Sequence, residues 1–114
     1  MAKSSWRNLY QVGYRAERKC AERLKKAGYL VVTSRSSKGI FDVVGIGPKK
    51  IKLIQVKTCP KGKVPLYPPQ KRKILSVPVP QNASKEVWVW EFEVGWHIWA
   101  IEETDVYKEK KGEK

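Results

Sequence analysis

Residues 41–57, FDVVGIGPKKIKLIQVK, hold two apolar runs on either side of a Gly-Pro turn. Runs of this kind predict an antiparallel hairpin, with strands over 40–46 and 51–57. Three polar residues stand where a buried hairpin is better served by Val or Ile: Asp42, Gln55 and Lys57. Side chains alternate along a strand, so Gln55 and Lys57 share a face with Ile51 and Leu53. A loop over 47–50 pairs Ile46 with Ile51, Val44 with Leu53 and Asp42 with Gln55. Directly opposed Cβ atoms lie about 4.5–5.5 Å apart, and the diagonal Lys57 stays within reach of Asp42. An acid, an amide and an amine are thus expected to converge at one end of the hairpin. A bulge or a one-residue slip would break this convergence.

Upstream, helical periodicity runs over 10–27, and Gly28 is a natural stop. The apolar stripe takes in Tyr10, Tyr14, Cys20, Ala21 and Leu24, and Glu17 stands among them at helical spacing. A carboxylate on an inward face is costly unless a cation or hydrogen-bond donors satisfy it. Gly13, one turn earlier, is expected to let another backbone come close. The structural alternatives are an edge-of-stripe Glu17 paired with an Arg, and a salt bridge between Asp42 and Lys57. Taken jointly, Glu17, Asp42, Gln55 and Lys57 suit metal-dependent phosphodiester hydrolysis. Carboxylates and an amide oxygen suit Mg²⁺, a hard cation that prefers oxygen. Such an ion polarises a phosphoryl oxygen and acidifies a bound water, and a nearby lysine stabilises the developing charge.

The remaining chain reads as a strand over 29–33, a polar basic loop over 34–39 and a proline-rich loop over 59–69. One or two helical turns over 70–76 come next, then strands over 86–92 and 95–101. The order is α-β-β-β-(short α)-β-β, in one domain over 1–114, with 1–8 and about 105–114 expected to be flexible ends. Trp88, Trp90, Phe92, Trp96 and Ile98 share one face of the last two strands, and Trp99 shares the other with Val87 and Val89. Two faces this apolar exceed what a small monomer covers, which suggests a dimer contact. His97, the single histidine, has no Ser or Cys nucleophile arranged with it. Cys20 and Cys59 read as free thiols, and no Cys/His cluster has zinc spacing.

A net charge of +13, from 24 Lys+Arg against 11 Asp+Glu, points to a polyanionic partner, of which nucleic acid is the commonest. Candidate phosphate contacts are Arg7, Arg15, Arg18, Lys38, Lys61, Lys63, Lys71 and Arg72. No apolar run reaches bilayer length, and no signal peptide is evident, so a soluble cytoplasmic protein without a membrane partner is expected.

The pair FDVV…QVK resembles the D-x(n)-(E/Q)-x-K motif of the PD-(D/E)XK nuclease superfamily. Within that group, GYRAERKCAERLKKAGYLVVTSRSSKGIFDVVGI resembles the start of archaeal-type Holliday junction resolvases. Those begin with a Gly-x-x-Ala-Glu-Arg helix, followed by a Ser/Gly/Lys loop before the motif Asp. The similarity covers roughly residues 11–58. It implies an α/β, restriction-endonuclease-like core, a mixed central sheet with flanking helices. It also implies a Mg²⁺-dependent endodeoxyribonuclease, with Mn²⁺ as a possible substitute, that resolves four-way DNA junctions by paired strand cuts as a homodimer. Glu17, Asp42 and Gln55 then fall at metal-binding positions and Lys57 at the catalytic lysine. Ser36, Ser37 and Lys38 fall where the family places a loop near the scissile phosphate. Two features depart from the pattern: Gln55 replaces an acid, and no long helix follows the third strand. Two alternatives stay open, another nicking or repair nuclease of the superfamily and a non-catalytic DNA-binding relative. A third carboxylate at position 55 is expected to lower the Mg²⁺ needed for cleavage.

Overall fold

The computed structural model describes the backbone of residues 2–34 and 39–102 and the side chains of 13–34 and 39–102. Helix α1 spans Ala2–Lys26 and so begins well before the periodicity over 10–27. Gly28 ends the helix in the left-handed region at φ 99°. The Tyr29 N–H donates to the Leu24 carbonyl at 3.0 Å and the Gly28 N–H to the Lys25 carbonyl at 3.0 Å. This is a Schellman closure, which occupies carbonyls that a helix end otherwise leaves unpaired. Arg23, Lys25 and Lys26 fill the last turn, where cations suit the negative end of the helix.

Five strands come after it: β1 (Leu30–Thr33), β2 (Val43–Ile46), β3 (Ile51–Cys59), β4 (Ala83–Glu91) and β5 (Gly95–Ile101), with α2 (Lys71–Leu75) between β3 and β4. They form one sheet in the order β1-β2-β3-β4-β5. The β3–β4 pair is parallel and the others are antiparallel, which makes the sheet mixed. The hairpin adopts the expected register, with Ile46 opposite Ile51 and Val44 opposite Leu53. Strand β3 runs past the expected residue 57 to Cys59, because β4 keeps pairing with it as far as Cys59–Glu91. The parallel connection passes through α2, only five residues long. The Lys85 ammonium donates to the Leu75 and Val77 carbonyls at 3.1 and 2.6 Å, which satisfies the C-terminal end of α2.

The core has two layers. On one face of the sheet Ala16, Cys20 and Leu24 of α1 pack on Val43, Ile54, Val56 and Trp88, with Trp90 and Trp96 beside them. On the other, Ile74 of α2 packs with Cys59, Val87, Val89 and Ile101, with Trp99 alongside. The two tryptophan faces therefore point as the alternation predicts. Trp96 stands edge-on to Trp88 and Trp90, at centroid distances of 5.2 and 5.1 Å. Both cysteines are free and buried, and burial pushes the Cys20 thiol up to about 12.

The helix packs along a narrower stripe than the periodicity suggests. Tyr14 is exposed rather than buried, and a Cβ added at Gly13 would touch nothing within 4 Å. Neither residue faces the sheet. The close approach occurs instead at Gly45 of β2, where a Cβ would stand 3.1 Å from Leu24 Cδ1 and 3.3 Å from the Tyr29 ring. A side chain there would press on Leu24 and Tyr29, so glycine lets the helix lie low on β2. Two turns before Leu24, Glu17 is thereby brought towards the start of that strand. Among the described residues, no helix is long and apolar enough to cross a membrane.

Candidate active site

The site arises where β3 outruns β2. Strand β2 pairs with β3 only as far as Val43–Ile54. One residue earlier, the Asp42 N–H still donates to the Ile54 carbonyl at 2.9 Å, and the Asp42 carbonyl accepts from the Ser34 N–H at 2.9 Å. Beyond that point the edge of β3 has no strand beside it among the described residues, and the Val56 N–H would be orphaned. The Asp42 side chain takes it: Oδ2 accepts from the Val56 N–H at 2.9 Å. The carboxylate thus completes the ladder that its own strand has left, and its position is set by backbone on three sides.

Around this notch lies an open cleft of about 430 Å³ lined by Glu17, Gly39, Ile40, Asp42, Gln55, Val56, Lys57, Gln70 and Lys73. All four residues singled out from the sequence reach it. Glu17 enters from α1, above one face of the sheet, while Gln55 and Lys57 alternate onto the other. The notch joins the two faces past the end of β2.

Both carboxylates of the cleft are disfavoured in their ionised forms. Burial raises the Glu17 pKa, and the charge of Asp42 raises it further. Burial also raises Asp42, while the Val56 N–H and then the Lys57 ammonium pull it partly back. Among the described residues Lys57 forms no ion pair, so a structural salt bridge with Asp42 does not account for it. Its side chain is exposed and close enough to be felt by Asp42 without being spent on it. Nor, among those residues, is Glu17 held by an Arg.

Gln55 is 5 % exposed. Its Nε2 donates to the Ile40 carbonyl at 3.1 Å and to Gln70 Oε1 at 3.0 Å. Its Oε1 is buried and has no hydrogen-bond partner among the described residues. A buried, unpartnered carbonyl oxygen is costly by itself and is a natural place for a ligand. Two carboxylates and one free amide oxygen at a single cleft are hard oxygen donors, the set that Mg²⁺ prefers. Among the described residues no group of three or more His, Cys, Asp or Glu could hold a metal, and backbone and amide oxygens are the other hard donors at the cleft.

Of the expected phosphate contacts, Arg15, Arg18, Lys63 and Arg72 are exposed, as is Lys61, which pairs with Glu93 at 3.6 Å. Lys71 is half-buried. The side chain of Arg7, the loop residues Ser36, Ser37 and Lys38, and the tail expected over about 105–114 lie outside the described residues. His97 is no part of the cleft: its Nε2 lies 2.7 Å from Glu91 Oε1, and Glu91 Oε2 accepts from the Gly62 N–H at 2.7 Å. Sequence reasoning missed Gln70, Lys73 and the Ile40 carbonyl. The Pro68-Pro69 pair marked a helix start nearby, but nothing local marked which cleft that start would face. A larger cleft of about 600 Å³ lies between the end of α2 and β5, and Glu102 is the one acid among its lining residues. It offers no comparable set of oxygen ligands.

The family model described as archaeal Holliday junction resolvase (hjc) matches residues 8–111. No curated protein matches the sequence. Among solved structures, the chain is similar to Hjc from Archaeoglobus fulgidus, a Holliday junction resolvase from an archaeal hyperthermophile. The TM-score is 0.61 at 22% identity, over 78% of this chain and 72% of that one.

Proposed function

Since the chain belongs to the archaeal Holliday junction resolvase family, we propose that it resolves four-way DNA junctions with the Glu17–Asp42–Gln55–Lys57 cleft, using Mg²⁺ or Mn²⁺. The observation that carries this reading is the convergence of two destabilised carboxylates and an unpartnered amide oxygen on one notch in the sheet. Glu17, Asp42 and Gln55 would hold the ion through oxygen. When bound, a Mg²⁺ ion polarises the scissile phosphoryl group and lowers the pKa of a coordinated water. Asp42 is anchored by Val56 and presents its carboxylate in a fixed position. Lys57 offers a free ammonium to the charge that develops on the phosphoryl oxygens. Lys73, at the rim of the cleft, is placed to take a neighbouring phosphate.

Each chain supplies one nuclease domain, and two copies act together. A four-way junction has two symmetric strands to cut, so a two-fold dimer presents two equivalent clefts to them. The +13 charge supplies affinity that is independent of sequence. Ser36, Ser37 and Lys38, just before the notch in sequence, contact the backbone beside the scissile phosphate.

The test is incubation of the protein with a labelled four-way junction and a matched duplex, with Mg²⁺ and with a chelator, alongside light scattering for mass. Paired symmetric cuts in the junction, their loss with chelator and a two-chain mass are expected. Single nicks in the duplex at an equal rate would favour a general nicking nuclease. A mobility shift without cleavage at any Mg²⁺ concentration would favour a non-catalytic binder.

A further inference from the structure

We infer that Gln70 is a positioning residue for this site, fixing the plane of the Gln55 amide, whose nitrogen end the Ile40 carbonyl selects, and with it the direction of the Gln55 oxygen. The inference rests on the proposed metal site and assigns a role to a residue that does not itself touch the ion.

A glutamine amide has two donor hydrogens and one acceptor oxygen. Both Gln55 hydrogens are engaged, by the Ile40 carbonyl at 3.1 Å and by Gln70 Oε1 at 3.0 Å. The Ile40 carbonyl can only accept, so it decides which end of the amide is nitrogen. One hydrogen bond still leaves the last torsion of the side chain broad. The second, to Gln70, sets the amide plane, and with it the direction in which the unpartnered Oε1 points.

Gln70 is poorly suited to its position on local grounds. Its backbone is left-handed, at φ 57° and ψ 28°, a conformation that glycine adopts freely and glutamine does not. It stands at the N-cap of α2, where Ser, Thr, Asp or Asn would serve, and its side chain makes no capping hydrogen bond. The side chain reaches across to Gln55 instead. Its backbone is held in place by the Ile74 N–H, which donates to the Gln70 carbonyl at 2.9 Å, and by the preceding Pro68-Pro69 pair. The Gln70 backbone is therefore a rigid mount for an amide oxygen that accepts from Gln55, 15 residues along the chain from the side chain it orients.

The experiment titrates metal-free protein with Mn²⁺ by calorimetry and records thermal melts of the same samples. Gln70→Gly relieves the left-handed backbone and removes the acceptor. It is expected to melt at or above the wild-type temperature yet bind Mn²⁺ about 10-fold more weakly, the scale of losing a partner that orients a metal ligand. Gln70→Glu keeps an oxygen acceptor and is expected to keep the wild-type affinity. In a Gln55→Ala background, Gln70→Gly should change the affinity no further. Equal Mn²⁺ binding by wild type and Gln70→Gly would overturn the inference, and so would an undiminished effect in the Gln55→Ala background. Absence of Mn²⁺ binding by the wild-type protein would overturn the metal-site assignment along with it.

Discussion

Gln55→Glu restores the acid that the family motif usually carries, and sequence alone expects it to help by adding a third carboxylate. The structure adds a cost. An oxygen put in place of Nε2 would face the Ile40 carbonyl across 3.1 Å and Gln70 Oε1 across 3.0 Å, both of them acceptors. Gln70 can turn its amide and donate. The Ile40 carbonyl cannot, and a buried group left without its partner costs about 2 kcal/mol. At roughly 4 °C per kcal/mol for a domain of this size, the metal-free variant should melt about 8 °C below wild type near neutral pH.

The deficit should depend on pH in a definite direction. Burial and the nearby Glu17 and Asp42 charges raise the pKa of a carboxyl at this position. Once protonated, it can donate an O–H to the Ile40 carbonyl. The deficit is then fully present above the raised folded pKa and shrinks as pH falls through it. Divalent ion should recover more stability in the variant than in wild type, since the added charge tightens binding. The Mg²⁺ needed for half-maximal cleavage should fall, as the sequence suggests, but only for the folded fraction. Thermal melts with and without ion, across pH, are the assay. A metal-free variant that melts within about 2 °C of wild type at every pH would refute the reasoning, because the Ile40 and Gln70 contacts would then not hold residue 55.

Four further outcomes are expected. Asp42→Asn and Lys57→Ala should each slow junction cleavage at least about 10²-fold in single-turnover assays while junction binding in mobility shifts survives. Asp42→Asn should not lower the melting temperature, since an amide oxygen can still accept from the Val56 N–H. Glu17→Gln should stabilise the metal-free protein near neutral pH, because the raised Glu17 pKa marks an ionised form that the fold disfavours. That gain is fully present above the raised pKa and should vanish in denaturant titrations as pH drops through it towards the ordinary carboxylate value. Junction affinity should fall steeply with salt, as neutralised phosphates release counterions; a flat plot of log K against log salt would contradict a +13 protein binding through DNA phosphates.

Period and turn chemistry were enough to place several features of this chain. A Gly-Pro loop between alternating apolar residues sets the hairpin register, so Asp42, Gln55 and Lys57 were bound to meet near one end. Gly28 ends the first helix because the chain there needs a left-handed residue. Alternation along β4 and β5 sets the two tryptophan faces. The acid on the helix was visible as a carboxylate at an apolar spacing, and the family motif supplied its expected role.

Other features arise only from packing in three dimensions. The azimuth of α1 depends on which of its ridges meets the sheet, and the gap at Gly45 lets Leu24 settle there, turning Tyr14 and Gly13 outward. Where β2 stops and β3 continues is set by pairing with β4, a parallel partner 32 residues away at Ile51–Ala83. That mismatch in strand length leaves the Val56 N–H for Asp42 and opens the notch joining the two faces. The hold on Gln55 comes from Ile40 and Gln70, each 15 residues distant in opposite directions. Period and turn type act over a few neighbouring residues; a contact between separate elements depends on how they pack in space, and no local pattern encodes that.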